Sequence, residues 1–162
     1  MKKILILFLT LILVTIPVLA DNSIEDRISL IVEGDMYLAA KFGVKYDVSN
    51  RLSMVSTLGA NILYPTQTAY SFYAQWHSKQ SESSFNVDVN LGIIQGVFDY
   101  HRFTEDKYIY MNPGVTMHLS YPVLDQLSLG AQAGMVFMIG YDRGTWGSSL
   151  EPYAGITLTY SK

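Results

Sequence analysis

The stretch LSLGAQAGMVFMIG, from Leu127 to Gly140, decides the fold because its two alternating sets of residues differ in character. The odd positions are all apolar, whereas the even positions are mainly small or polar, with Val136 and Met138 as the exceptions. A period of two indicates a β-strand with two different faces, since a helix would repeat every 3.6 residues. The stretch is also longer than the usual strand of a soluble sheet, which has about five or six residues.

The same alternation recurs along the chain and predicts an all-β fold of eight strands. We place them near residues 25–33, 36–47, 51–63, 69–78, 84–98, 107–121, 127–140 and 149–160. In the fifth, Phe85, Val87, Val89, Leu91 and Ile93 share the apolar face. Connections at 47–50, 79–83 and 122–126 are compact and polar, and those at 64–68, 99–106 and 141–148 are mostly longer and richer in aromatic residues. A tight turn near Gly34 joins the first two strands, so the pattern predicts an up-and-down order.

The first twenty residues, MKKILILFLTLILVTIPVLA, differ from the rest of the chain. Two lysines precede an apolar run, and small residues stand at Val18 and Ala20, where a signal peptidase reads. This pattern predicts a secretory signal peptide over residues 1–20, with residues 21–162 as one domain. The alternative is an uncleaved anchor helix, which needs about 20 apolar residues. No cysteine follows Ala20, so the bacterial lipoprotein class is excluded.

Composition narrows the function classes. Without the two lysines of the leader, the chain has nine basic and fourteen acidic side chains, a formal charge of −5. No basic patch remains to follow a phosphate backbone, so we expect no nucleic-acid partner. The chain has no cysteine, which excludes disulfides and thiolate metal sites. We expect no metal and no cofactor.

The character of the two faces separates two closed β architectures. A soluble calyx of the lipocalin type keeps its apolar face inside and a charged face in water. A transmembrane barrel has an apolar band outside and small or polar residues inside. Only 15% of the residues are charged, too few to cover the outside of a soluble barrel. We therefore expect an eight-stranded antiparallel transmembrane barrel, whose lipid-facing set includes Leu127, Leu129, Met135 and Phe137.

Six ionisable side chains fall on the inward set of the predicted strands. They are Arg27, Glu33, Lys41, Lys45, Asp88 and Glu151. Buried charges cost several kcal/mol each unless they are paired, so we expect a charge network that fills the lumen. The alternative is a narrow ion path, although an eight-stranded lumen is only wide enough for side chains.

The last strand carries a recognisable motif. In YAGITLTY, Tyr153 is followed by Gly155, and then by Leu158 and Tyr160 at three and five residues beyond the glycine. This resembles the C-terminal assembly signal of outer-membrane β-barrels, although two residues follow the final aromatic here. The segment AAKFGVKYDVSNRLSM, residues 39–54, is similar to turn-flanking pieces of small OmpA/OmpX-type barrels. The resemblance implies a Gram-negative-type outer membrane, contact with its lipid and lipopolysaccharide, and insertion by the barrel-assembly machinery. It implies no particular activity, because this fold hosts many.

Two further motifs raise functional alternatives. His118-Leu119-Ser120 resembles the His-x-Ser pair of outer-membrane lipid A deacylases, which implies a lipid-modifying enzyme. Gln132 stands where that family carries an acid, and His118 belongs to the inward set, so we expect no catalysis. The loop YDRGTWGSS offers Arg143 and Trp146 as a candidate for surface recognition. The alternative for Trp146 is a place in the aromatic girdle of the barrel. We therefore expect a structural or surface-interaction protein.

Overall fold

Eight antiparallel strands make up the computed structural model, which describes residues 27–63, 67–78, 85–99, 109–142 and 145–161. The strands are β1 (Ile28–Asp35), β2 (Ala39–Ser49), β3 (Leu52–Asn61), β4 (Gln67–His77), β5 (Asn86–Asp99), β6 (Ile109–Leu124), β7 (Leu127–Asp142) and β8 (Thr145–Ser161). The predicted leader lies outside the described residues. Within them, no helix has the length and apolar character needed to cross a membrane.

Each strand pairs with the next along the chain, and β1 pairs with β8 to close the ring. Closure leaves no sheet edge, so the strands satisfy each other's backbone groups all the way round. The start of β1, the end of β8 and the connections β2–β3, β4–β5 and β6–β7 lie at one end, here called the turn end. The other four connections lie at the opposite end, here called the loop end. The predicted all-β up-and-down barrel is confirmed.

The outer face of the ring is apolar. In β7 the odd positions from Leu129 to Phe137 are exposed, and the even positions Gly130, Gln132 and Val136 are buried. Met135 and Phe137 are each 46% exposed, and Leu127 at the strand's start is half-buried. Exposed large apolar side chains occur on all eight strands. An apolar band of this extent on the outside is unusual for a soluble monomer, which rarely exposes large contiguous apolar patches.

The inner face is filled, and its centre is apolar. The side chains of Ile31, Val55, Tyr73, Ile94, Val136 and Tyr153 form one buried cluster inside the ring, here called the central apolar cluster. Close strand approach also uses glycine: a Cβ on Gly43 would lie 1.9 Å from the Ser56 carbonyl oxygen. Small residues on the inner face thus allow the strands to curve around a lumen that is narrow and packed.

The structure corrects the prediction for β5. The expected alternation held Ile93 to the outer face and implied an inner position for every even residue through 98. A β-bulge between Ile93 and Gln95 breaks this register, and Ile94 and Gln95 are both buried. A bulge inserts one extra residue into a strand, so the later side chains change faces. Ile94 keeps its inward place in the central apolar cluster, and Gln95 also lies inside, where a strict period of two would place it on the outer face.

The strand boundaries also differ from the prediction, most clearly in the last two hairpins. The predicted loop 141–148 is almost entirely strand, since β7 reaches Asp142 and β8 begins at Thr145. The β6–β7 turn is Asp125-Gln126 rather than the wider 122–126. In both hairpins the strand pairing extends beyond the predicted strand ends. Pairing with the neighbouring strand stabilises these segments although their residues have a weak β-strand propensity.

Candidate functional site

The lumen holds two ionic clusters, one toward each end. The loop-end cluster consists of Glu33, Asp35 and Lys41. Lys41 Nζ lies 3.2 Å from Glu33 Oε2 and 3.3 Å from Asp35 Oδ2. All three side chains are fully buried. Lys41 also donates to Ser71 Oγ at 2.6 Å. These three oxygen partners stabilise the positive charge of the buried Lys41 ammonium group.

Neutral hydroxyl groups compensate the remaining negative charge of this cluster. Two carboxylates face one ammonium group, so the three side chains carry a formal charge of −1. Thr57 Oγ1 donates to Glu33 Oε2 at 2.9 Å, and Tyr73 OH donates to Glu33 Oε1. Hydrogen bonds to an ionised carboxylate are stronger than neutral ones, which makes these donors part of the cluster's stability.

Asp35 was not among the predicted lumen charges, because its position at the end of β1 indicated a turn residue. It has both roles. Its Oδ1 accepts the backbone N–H groups of Tyr37 at 3.0 Å and Ala39 at 3.2 Å, which fixes the β1–β2 turn. Leu38 in that turn has a φ of 59°, a left-handed conformation that this carboxylate helps to hold. Asp35 thus connects the β1–β2 turn to the buried ammonium group of Lys41.

Between the clusters lies a layer of neutral amides and hydroxyls. Asn90 Nδ2 donates to Gln132 Oε1 at 3.0 Å and to Thr116 Oγ1 at 3.1 Å. Gln132 Nε2 in turn donates to Tyr153 OH at 3.4 Å. Each of these residues is buried. Together with the central apolar cluster, this layer separates the two ionic clusters by side chains that carry no charge.

The turn-end cluster consists of His77, Asp88 and His118. Asp88 Oδ1 lies 2.9 Å from His77 Nδ1, and Asp88 Oδ2 lies 3.3 Å from His118 Nδ1. His118 Nε2 is 2.8 Å from Thr157 Oγ1 on β8, across the intervening strand β7. A Cβ on Gly130 would lie 2.3 Å from His118 Nε2, so the glycine leaves the space in which the imidazole meets β8. One carboxylate therefore orients two imidazoles.

Ser53, His77 and Asp88 have the hydrogen-bond connectivity of a catalytic triad. Ser53 Oγ lies 2.5 Å from His77 Nε2, and His77 Nδ1 contacts Asp88. However, the Ser53 hydroxyl donates to Asp47, and the residue is 0% exposed. A nucleophile must reach the substrate carbonyl, and this oxygen is enclosed by its own partners. The arrangement therefore favours a chain of hydrogen bonds between two carboxylates over nucleophilic chemistry.

The structure separates the six predicted lumen charges. Glu33 and Lys41 meet in the loop-end cluster, and Asp88 belongs to the turn-end cluster. Lys45 Nζ lies 4.0 Å from Asp47 Oδ1, an acid that the sequence reasoning missed. Arg27 is exposed at the turn end, just before β1. Glu151 is half-buried near the loop end. Burial raises the pKa of Tyr37 in the β1–β2 turn, and the negative charges of Glu151 and Asp35 raise it further.

His77 and His118 are both expected on the inward set of the strands, and the six predicted lumen charges do not include them. Their inward positions on β4 and β6 were the only signal. In His118, Nδ1 faces Asp88 and Gln75, and Nε2 faces Thr157. Both nitrogens are thus engaged away from Ser120, which does not favour the base–nucleophile pair of a lipid A deacylase. Among the described residues, no group of three or more acidic or histidine side chains is arranged to hold a metal ion.

The remaining predicted sites lie on β7 and β8. Trp146 belongs to β8, where it is 72% exposed and stacks in a tilted geometry on Tyr141, with ring centroids 5.2 Å apart. Arg143 lies outside the described residues. In the C-terminal motif, Leu158 and Tyr160 are exposed on the outer face, and Gly155 lies opposite Gln132. Tyr153 is instead buried, and its ring belongs to the central apolar cluster.

Comparison with solved structures supports the fold assignment. The chain is similar to the crystal structure of the N-terminal β-barrel domain of Pseudomonas aeruginosa OprF, with a TM-score of 0.59 and 13% identity over 85% of this chain and 98% of that one. It is also similar to the NMR structure of the de novo designed TMB2.3, with a TM-score of 0.54 and 11% identity over 84% and 94%. No family model and no curated protein matches the sequence. The resemblance to small OmpA/OmpX-type barrels is confirmed at the level of the fold.

Proposed function

We propose that this chain is a non-catalytic β-barrel of a bacterial outer membrane, with a structural or surface-interaction role. The observation that carries the proposal is the outer face, where apolar side chains are exposed on all eight strands of a closed ring. Lipid requires that backbone groups pair within the protein, which a closed barrel achieves. The similarity to the OprF barrel domain supports the same reading.

The proposed orientation follows from the connections. In small outer-membrane barrels, short turns face the periplasm and longer loops face the outside. The turn end, where β1 begins and β8 ends, is therefore assigned to the periplasm. The leader over residues 1–20 would export the chain, and the motif at Gly155, Leu158 and Tyr160 would engage the barrel-assembly machinery. Outer-membrane lipid and lipopolysaccharide are the surroundings that this assignment implies.

A structural role is favoured over conduction because the lumen is blocked. The loop-end cluster, the amide layer and the central apolar cluster are all buried. An ion crossing the lumen would have to displace the ammonium group of Lys41, which two carboxylates hold. In planar bilayers we expect no stable large currents. Large single-channel steps from the wild-type protein would contradict the blocked lumen.

At the loop end, the contact of the exposed Trp146 with the half-buried Tyr141 supports an interfacial position for both rings. Both residues lie on the outer face near the ends of β7 and β8. Aromatic rings of this kind occupy the boundary between lipid and water, where one edge is apolar and the other is wet. The surface-interaction role therefore rests on the loop-end connections as a group, including Arg143, rather than on Trp146 alone.

Membrane integration is tested by arginine substitutions along one outer row of β7. Met135 lies near the middle of the strand and Leu129 near the turn end. Arginine at the bilayer midplane costs about 2–4 kcal/mol, and near an interface about 0–1 kcal/mol. We expect Met135→Arg to reduce the carbonate-resistant, heat-modifiable form in membranes, and Leu129→Arg to reduce it much less. Recovery of the wild-type chain in the soluble fraction, or equal recovery of Met135→Arg, would contradict the proposal.

A further inference from the structure

Part of the lumen is open. A cavity of about 550 Å³ occupies the turn end of the ring, with Ile31, Gln75 and His118 at its inner part and Asn50 and Arg51 at its mouth. This volume falls within the range of small-molecule sites, about 300–1,000 Å³. Since every strand is paired to its neighbours, the cavity is reached through the end of the barrel and not from the surrounding lipid.

The charges around this cavity favour an anion, although the chain as a whole is acidic. Arg51 forms no ion pair and no side-chain hydrogen bond within the described part of the chain. Lys45 reaches Asp47 only at 4.0 Å. The two lining carboxylates are already engaged: Asp47 accepts from Ser53, and Asp88 contacts two histidines. Two cations with spare hydrogen-bond donors thus face the cavity, and no carboxylate there is without a partner.

A second, smaller cavity of about 240 Å³ adjoins the first, since both are lined by Asp47, Asn50 and His77. It adds Arg27, which also forms no ion pair with a described residue. Arg27, Lys45 and Arg51 thus place three cations around the two cavities, beside the engaged carboxylates of Asp47 and Asp88. Cations with spare donors near a cleft attract an anionic ligand.

The walls of the larger cavity carry hydroxyl and amide groups. Ser120, Ser128, Thr159 and Ser161 come from three adjacent strands, and Ser78 and Asn86 continue the lining on the neighbouring β4–β5 hairpin. Ile31 is the one large apolar residue among the described lining residues, which include no Phe, Tyr or Trp side chain. Such walls match a body with many hydroxyl groups and give no surface for an acyl chain or a flat heterocycle. We propose that the turn-end cavity binds a small anionic sugar of the sugar phosphate class.

In this assignment, the anionic group lies at the mouth near Arg51 and Lys45, and the sugar hydroxyls face the serine walls. Arg51 suits a phosphate or carboxylate group because the planar guanidinium donates two parallel hydrogen bonds. The site would admit its ligand from the proposed periplasmic side while the loop-end half of the lumen stays closed.

Isothermal titration calorimetry tests the assignment on the full chain, refolded in nanodiscs of zwitterionic phosphatidylcholine so that no anionic lipid competes. The probes are glucose 6-phosphate, glucose and inorganic phosphate. We expect glucose 6-phosphate to bind at least about tenfold more tightly than either fragment, because hydrogen bonds to a charged group and contacts to the sugar both contribute. Absence of binding at millimolar glucose 6-phosphate would overturn the proposal. Equal binding of inorganic phosphate would overturn the role of the serine walls.

Matched variants locate the site. Arg51 is exposed, so Arg51→Ala should fold normally, and we expect it to weaken glucose 6-phosphate about tenfold. The control is Arg102→Ala, which removes a cation from the segment that joins β5 to β6 in the sequence. We expect no change in that variant. Unchanged binding in Arg51→Ala, or an equal loss in Arg102→Ala, would place the anion outside the turn-end cavity and overturn the proposal.

Discussion

The two ionic clusters of the lumen are built from similar groups but differ in access. In the loop-end cluster, the ammonium group of Lys41 lies between Glu33 and Asp35, and all three side chains are enclosed. In the turn-end cluster, Asp88 holds two imidazoles at the wall of an open cavity. The comparison teaches that charge does not by itself block a barrel. The loop end is closed because its charges are paired and packed, and the turn end has spare donors.

The largest effect is expected from removal of the buried ammonium group. Lys41→Met would leave Glu33 and Asp35 as neighbouring buried carboxylates without a cation, which costs about 3–5 kcal/mol. The measurement is the free energy of unfolding in urea, followed by tryptophan fluorescence in lipid vesicles. The control is Lys45→Met, where a partly exposed pair at 4.0 Å predicts a loss below about 1 kcal/mol. Equal losses in both variants would show that the loop-end cluster is not specially enclosed.

A smaller effect is expected from the hydroxyl that supports Glu33. Tyr73→Phe removes a hydrogen bond to a buried carboxylate, and such bonds contribute about 1.5–3 kcal/mol. Tyr153→Phe is the matched control, because its hydroxyl only accepts from the neutral Gln132 amide at 3.4 Å. We expect the first variant to lose clearly more unfolding free energy than the second. The reverse order would mean that Glu33 does not depend on Tyr73.

The turn-end cluster is tested by filling the space beside its imidazole. Gly130→Ala puts a methyl group where His118 Nε2 and Thr157 Oγ1 now meet, so their hydrogen bond should break at a cost of about 1 kcal/mol. Gly147→Ala is the control, because nothing lies within 4 Å of its added Cβ. NMR of the histidine side chains should show His118 shifted in the first variant and unchanged in the second. An unmoved His118 resonance in Gly130→Ala would contradict the described contact.

The smallest expected effect is the coupling between the clusters. Lys41→Met and His118→Asn alter residues with no shared partner, separated by the amide layer, so their effects on unfolding free energy should add within about 0.5 kcal/mol. A double-mutant cycle measures this sum. A coupling well above that value would mean that the two clusters form one network through the lumen.

Much of the fold could be predicted from the sequence because one physical rule repeats along it. Side chains of a strand alternate between faces, so the apolar set of β7 indicated the outer surface without any structural information. The rule failed at Gln95, which a bulge turns to the inner face. A bulge leaves no signature in an alternating pattern when both neighbouring residues are apolar or neutral.

The candidate site was less predictable, because it depends on register between strands. Glu33 and Lys41 were predicted to be in the lumen, and their pairing follows from the β1–β2 ladder, in which they lie opposite each other. The partners Ser53, His77 and Asp88 come from β3, β4 and β5, and no spacing in the sequence brings them together. The cavity was not predictable at all, since open volume depends on how the central side chains fill the ring.

The central claim, a lumen closed toward the loop end and open at the turn end, can be tested directly because the chain has no cysteine. Ser120→Cys places a thiol in the wall of the turn-end cavity, and Val55→Cys places one in the central apolar cluster. The measurement is labelling of the folded barrel in lipid nanodiscs by a charged thiol reagent, with urea-unfolded protein as the reference. We predict complete labelling of Ser120→Cys and no labelling of Val55→Cys until the barrel unfolds. Labelling of folded Val55→Cys as fast as Ser120→Cys would show an open lumen and contradict the account.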